Sequence, residues 1–207
     1  MRVRNESQNI IQTTMVATAS TMLPLGTKAP QFLLPNVVDG NRVEIEENES
    51  PAHLVAFVCN HCPYVIHLVD HLAEYFNQLT GEGIGAYLIS SNDVDKYPAD
   101  SPDKMKVLAV QNGFRFPYLF DEDQSVAKAY KAACTPDFFI FDKELSLYYR
   151  GRYDESRPGN GLPVTGNDIK GALESLLAGG APPESQQPSM GCNVKWKPGN
   201  EPDYFKS

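Results

Sequence analysis

Val55-Ala56-Phe57-Val58-Cys59-Asn60-His61-Cys62-Pro63-Tyr64 joins an apolar run to two cysteines spaced two residues apart, and then to a segment of helical spacing. Residues 54–58 read as a buried strand, because a short unbroken run rich in β-branched and aromatic side chains suits a strand covered on both faces. Beyond Cys62, the residues Val65, Ile66, Leu68, Val69, Leu72, Ala73, Phe76 and Leu79 define the buried side of a helix that stops at Gly81 or Gly83. This places Cys59 where a helix begins, and there unpaired N–H groups and the positive end of the macrodipole favour a thiolate. His61 lies between the cysteines, and its imidazolium would favour that anion further. The expectation is an acidic, nucleophilic Cys59, with Cys62 one turn on and able to close a disulfide with it.

The same spacing is half of a zinc site, which would need a second pair of ligands. His67 and His71 are the nearest candidates, yet with Glu74 they fall on the stripe that the apolar residues leave to solvent. A Cys-x-x-Cys pair beside a βαβ pattern reads first as a redox pair. No metal and no organic cofactor is therefore expected.

With 207 residues, 42% of them apolar, the chain suits one domain with extensions. A net charge of −8 argues against a nucleic-acid or anionic-membrane partner. No stretch of about 20 apolar residues offers a membrane-spanning helix. Residues 1–21 mix Arg2 and Arg4 with polar side chains and read as a flexible extension, with Met15 or Met22 as alternative initiators. No export signal is evident, so a reducing cytoplasm is expected, where such a pair is more plausibly catalytic than structural.

Along the chain, Asp39-Gly40 between short apolar runs predicts a β-hairpin within residues 25–45. A second buried strand is expected over 84–90 and a helix from Ser101-Pro102-Asp103 to Gly113. A short strand over 116–120, a helix over 124–133, a hairpin of strands 138–142 and 147–154, and a helix over 166–178 follow. The class is α/β, with a parallel pair joined by the first helix. Residues 22–180 form the domain, and 181–207 a Pro-rich linker and a tail anchored by Met190, Val194 and Trp196.

Gly26, Ala29-Pro30, Phe32, Leu34 and Gly40, the Cys-x-x-Cys pair, and Thr135-Pro136 ahead of a strand hairpin together resemble the thioredoxin-like thiol-disulfide oxidoreductases of the alkyl-hydroperoxide-reductase and peroxiredoxin-like superfamily. The resemblance spans roughly residues 25–177. It implies a thioredoxin-like fold, a central mixed sheet flanked by helices with an N-terminal β-hairpin added. It also implies a cis-proline at Pro136 opposite the cysteines. By that resemblance Cys59, His61 and Cys62 are the catalytic group, and Thr135, Pro136, Asn60 and Pro63 line the substrate groove. Cys134 and Cys192 are accessory redox candidates, each with the alternative of a merely buried thiol.

The chain also departs from the pattern. Val58 stands where thioredoxins usually carry Trp, and Ala56 stands where peroxiredoxins present a Thr or Ser. His53 falls where thioredoxins bury an acid, as a proton carrier or as an exposed strand-entry residue. The function implied is dithiol–disulfide exchange with a protein or small-molecule disulfide, recycled by a thiol reductant, at a potential between about −270 and −120 mV because of His61. The alternatives are a thiol peroxidase and a non-enzymatic metal- or partner-binding module.

Overall fold

The computed structural model describes residues 17–205, and in it the apolar run ahead of Cys59 is the middle strand of a five-stranded sheet. In chain order the elements are β1 (Thr18–Ala19), β2 (Leu33–Pro35), β3 (Arg42–Glu44), β4 (Ala52–Phe57), α1 (Pro63–Gly81), β5 (Gly85–Ser90), a 3₁₀ turn (Pro98–Asp100), α2 (Pro102–Gln111) and β6 (Tyr118–Phe120). They continue with α3 (Ser125–Ala129), β7 (Cys134–Thr135), β8 (Asp137–Asp142), β9 (Leu147–Gly151), α4 (Asn167–Leu177) and β10 (Met190–Asn193). The main sheet has the order β6-β5-β4-β8-β9, with β6, β5 and β4 parallel and β4, β8 and β9 antiparallel. The α/β class is what the pattern of runs predicted, and the mixed central sheet is what the resemblance implied.

Every residue of β4 is buried, and its side chains alternate between two cores. Leu54 and Ala56 pack with Leu68, Leu72 and Phe76 of α1, Met105 of α2, and Ile169 and Leu173 of α4. Val55 and Phe57 face the other side, among Phe32, Leu34 and Ile45 of the hairpin region, Val126 of α3, and Val194 and Trp196 of the tail. There Tyr130 is ringed by Phe57, Phe139 and Phe141 at centroid distances of 5.4, 5.7 and 5.8 Å. Each such fully buried ring contributes roughly 1.5–3 kcal/mol by removal from water.

Helix α1 ends as its glycines suggest. Gly83 takes φ +80°, its N–H reaches Thr80 O, and Ile84 N–H reaches Leu79 O at 2.9 Å, closing a Schellman motif. Gly83, rather than Gly81, is the stop.

Several expectations need correction. Ile66 is 56% exposed, because it lies a turn-fraction away from the stripe of Val65, Leu68, Leu72 and Phe76. His71 is not a solvated residue: its Nδ1 lies 2.7 Å from Tyr153 Oη and its Nε2 3.3 Å from Lys170 Nζ. The helix read over 124–133 is only α3, started by Asp121, whose carboxylate accepts the Val126 and Ala127 N–H groups, and ended where Lys131 takes φ +51°. Met190 is 41% exposed and anchors nothing, since its neighbours Gly191 and Cys192 take the buried positions of β10. Residues 1–16 of the expected flexible extension lie outside the described residues, whereas Thr18–Ala19 pairs with Gly191 and Met190 as a strand.

Candidate active site

The register of β4 against β8 builds the site. Phe57 pairs with Asp137, so continuing each strand by two residues sets Cys59 opposite Thr135. Val58 N–H still bonds Ile89 O at 2.9 Å, after which the chain leaves the sheet. The peptide bond between Thr135 and Pro136 is cis, as the resemblance implies. Thr135 Oγ1 lies 3.4 Å from Cys59 Sγ, and the Cys62 thiol donates to Thr135 O at 3.1 Å.

Helix α1 begins at Pro63 with Cys62, not Cys59, as its N-cap. Proline at the first position fits, because its missing N–H would be unpaired there anyway. The helix-end argument made for Cys59 therefore belongs to Cys62. The thiols of Cys192 and Cys59, and then the N–H groups of Cys192 and Val65, lower the Cys62 pKa, against the opposing effect of burial. Cys59 is pushed up, by the shared hydrogen bond with Cys62, by burial and by the Asp100 charge, with the Thr135 hydroxyl opposing. The Thr135 carbonyl favours a proton on Cys62, but it is a single acceptor against several donors. The two thiols are thus coupled through one shared hydrogen bond, and the helix N-terminus lies at Cys62.

His61 also serves a different neighbour. Its Nδ1 lies 2.7 Å from Asp100 Oδ2, and its ring stacks on Tyr97 at 5.5 Å. The hydrogen bond to Asp100 raises the His61 pKa, with burial opposing. Burial pushes Asp100 up, but hydrogen bonds from His61, Asn92 and Asn60 outweigh it, so its carboxyl is net lowered. The same carboxylate accepts the Asn60 N–H at 2.8 Å, the His61 N–H at 3.3 Å and Asn92 Nδ2 at 2.8 Å. Asp100 thus ties down the loop between the cysteines. Sequence reasoning missed it, because the loop it holds lies about 40 residues earlier in the chain.

The remaining candidates separate into those at the sulfurs and those away from them. Asn60 has its side chain committed to Ala99 O and Tyr118 Oη, at 2.9 and 3.0 Å. Pro63 is half-buried beside Cys62. Cys134 is fully buried with Sγ 3.6 Å from Pro136 O, and burial with the Asp137 charge raises its pKa. Cys192 pairs with Thr135 across β10 and β7 and hydrogen-bonds Cys62. His53 is buried at the far end of β4, stacked on Tyr87, and desolvation lowers its pKa. It is neither exposed nor within reach of the cysteines. Among the described residues, Cys59, His61 and Asp100 bring potential metal-ligand atoms within 4.8 Å of one another. The carboxylate in that group is already engaged by Asn60, His61 and Asn92.

Residues 25–150 match the family model described as AhpC/TSA. No curated protein matches the chain. Among solved structures, the chain is similar to an uncharacterized conserved protein from Geobacillus kaustophilus, at 52% identity over 89% of this chain and 98% of that one, with a TM-score of 0.86. A hypothetical protein from Sinorhizobium meliloti 1021 is 44% identical over 88% and 100% of the two chains, with a TM-score of 0.85. The thioredoxin domain of a thiol-disulfide oxidoreductase from Bacteroides vulgatus is 17% identical over 75% and 99%, with a TM-score of 0.57, a likeness that establishes the thioredoxin-like fold.

Proposed function

The chain belongs to the AhpC/TSA family, and from that premise we propose that it is a thiol-disulfide oxidoreductase exchanging disulfides through Cys59 and Cys62. Family and fold together make it an oxidoreductase. The observation that supports the finer reading is the meeting of both sulfurs with Thr135, at 3.4 and 3.1 Å, beside a cis Thr135–Pro136 bond.

In this reading one proton is shared between the two sulfurs, and Cys62 takes it as Cys59 attacks. The Cys59 proton passes along the shared hydrogen bond to Cys62, and the Cys59 thiolate attacks one sulfur of a substrate disulfide. A mixed disulfide forms and the other substrate sulfur leaves as a thiolate. Cys62 then loses its proton and attacks Cys59 Sγ, releasing the second substrate thiol and leaving the Cys59–Cys62 disulfide. A recycling thiol reductant returns the pair to the dithiol. The Thr135 hydroxyl steadies the Cys59 anion, Pro136 and Pro63 shape the groove, and His61 with Asp100 holds the loop between the cysteines. No resident cofactor is needed, the net charge of −8 argues against a nucleic-acid partner, and a protein or small-molecule disulfide in a reducing cytoplasm suits the pair. Among the described residues no helix is long and apolar enough to cross a membrane.

Cys59→Ser is expected to lower disulfide reductase activity, measured on insulin or a small aromatic disulfide, by about 10³-fold or more, since it removes the attacking atom. Full activity in that variant overturns the proposal. The family match favours one second reading, a thiol peroxidase with Cys59 attacking peroxide. Against it stands Ala56, fully buried between Leu88 and Phe138 with no hydroxyl to offer. Peroxide consumption no faster than a simple thiol's separates the two.

A further inference from the structure

The tail reaches the candidate site as a strand. β10 lies between β1 and β7 in a three-stranded sheet, with Cys192 paired to Thr135 and Asn193 to Cys134. Directly opposed residues of an antiparallel pair point to the same face, and successive residues to opposite faces. Thr135 sends its hydroxyl to Cys59, so Cys192 shares the face of the redox pair, while Cys134 and Asn193 turn to the other. The thiol of Cys192 hydrogen-bonds Cys62. The approach is close enough to require glycine next door, because a Cβ on Gly191 would lie 2.1 Å from the Thr135 carbonyl oxygen. The ladder runs on as Val194 N–H bonds Ala133 O at 3.1 Å. Cys192 is thereby held as an extended Gly-Cys-Asn strand laid along the residue that touches both active sulfurs.

Resting on the reading of Cys59 and Cys62 as a redox pair, we propose that Cys192 is a third redox residue, and that the tail strand acts as a tethered substrate which takes over the disulfide from that pair. After a substrate disulfide has oxidised the pair, Cys192 Sγ attacks Cys62 Sγ. The Cys62–Cys192 bond forms and the Cys59–Cys62 bond breaks, and Cys59 leaves as a thiolate that takes the proton Cys192 gives up. Two electrons stay in balance within the protein, and no further oxidant is consumed. Cys59 is returned to its reduced form while the oxidising equivalent is stored under the tail. The reductant that completes the cycle then attacks Cys192 or Cys62 rather than Cys59.

The test oxidises the full chain with a limiting amount of glutathione disulfide, quenches in acid, and maps bridged peptides by mass spectrometry. The wild type is expected to give Cys59–Cys62 first and Cys62–Cys192 later. Cys59→Ser is expected to accumulate Cys62–Cys192, and Gly191→Ala, which pushes the strand off Thr135, to form it about 100-fold more slowly. Cys62 trapped as a glutathione adduct in Cys59→Ser, with Cys192 still open to alkylation, overturns the relay. Cys192→Ser reports on the pair alone: formation of its Cys59–Cys62 bridge upholds the premise, and its failure to form overturns the pair and the relay with it. Circular dichroism confirms that each variant is folded.

Discussion

Asp100 shows how much one carboxylate without exposed surface can organise. It accepts the backbone N–H groups of Asn60 and His61, the His61 ring and the Asn92 amide, so every bond it makes faces the stretch between the cysteines or the segment that supports it. His61 is thus paired with a carboxylate instead of standing alone beside the cysteines. The raised His61 contributes stability that is complete below its unfolded pKa of 6.5 and is lost as pH rises through the folded value. The lowered Asp100 contributes stability present above 3.8 and lost as pH falls through its folded value. The pair therefore stabilises most between those limits. Asp100→Asn is expected to cost about 2 kcal/mol near pH 6 and less at pH 9, read from urea unfolding, since it removes bonds to a charged acceptor. The His61 titration, followed by NMR, should fall back toward 6.5. An unmoved titration would mean that Asp100 does not set the protonation of His61.

At the scale of elements, what a local pattern controls was legible and what a distant contact controls was not. The strand before Cys59, the helix after it and the Gly83 stop follow from periodicity and from one glycine that can take φ +80°. The cis Thr135–Pro136 bond was inferred from a resemblance, and no local property of Thr-Pro would have singled it out. Helix α3 was overread because Ala127, Ala129 and Ala132 favour helix, whereas Asp121 and the left-handed Gln124 and Lys131 bound it to Ser125–Ala129. The position of the helix end was misplaced for a related reason, since α1 begins at Pro63 with Cys62 as its N-cap instead of at Cys59. Gln124 could not be read at all, since its partners lie far along the chain. Its Nε2 donates to Ser91 O and Lys195 O at 2.6 and 2.9 Å, while its Oε1 accepts from Lys197 N–H and Asn200 Nδ2 at 2.8 Å each. Gln124→Ala removes four hydrogen bonds, one of them to the buried Ser91, and is expected to cost about 2–3 kcal/mol. Amide exchange over residues 190–197 should quicken while β4 stays protected, and equal exchange in the tail would show that Gln124 does not anchor it.

For the molecule as a whole, the two buried ionisable side chains at opposite ends of the central strand pair make stability depend on pH in opposite directions. His53 at the start of β4 is lowered by desolvation, so folding is penalised as pH falls below 6.5, where the unfolded imidazole takes a proton that the folded one refuses. Asp137, paired with Phe57 at the other end and next to Pro136, is raised by burial to about 8. Its Oδ1 has no partner among the described residues, and Ala133 N–H reaches Oδ2 only at 3.4 Å. The unfolded carboxyl ionises near 3.8 and the folded one near 8, so the native state binds the extra proton between those values. The contribution of Asp137 to stability then falls as pH rises from about 4 to about 8, by an amount on the order of a few kcal/mol. Asp137→Asn removes the ionisation and keeps a polar group of the same size beside the cis-proline. Comparing the two proteins at each pH isolates this one group from His53. The variant is expected to gain on the wild type by about 2 kcal/mol or more in urea unfolding between pH 5 and pH 8. A constant difference across that range would mean that Asp137 is already ionised in the folded protein, and that Cys134 and Thr135 sit beside a full negative charge instead of a neutral acid.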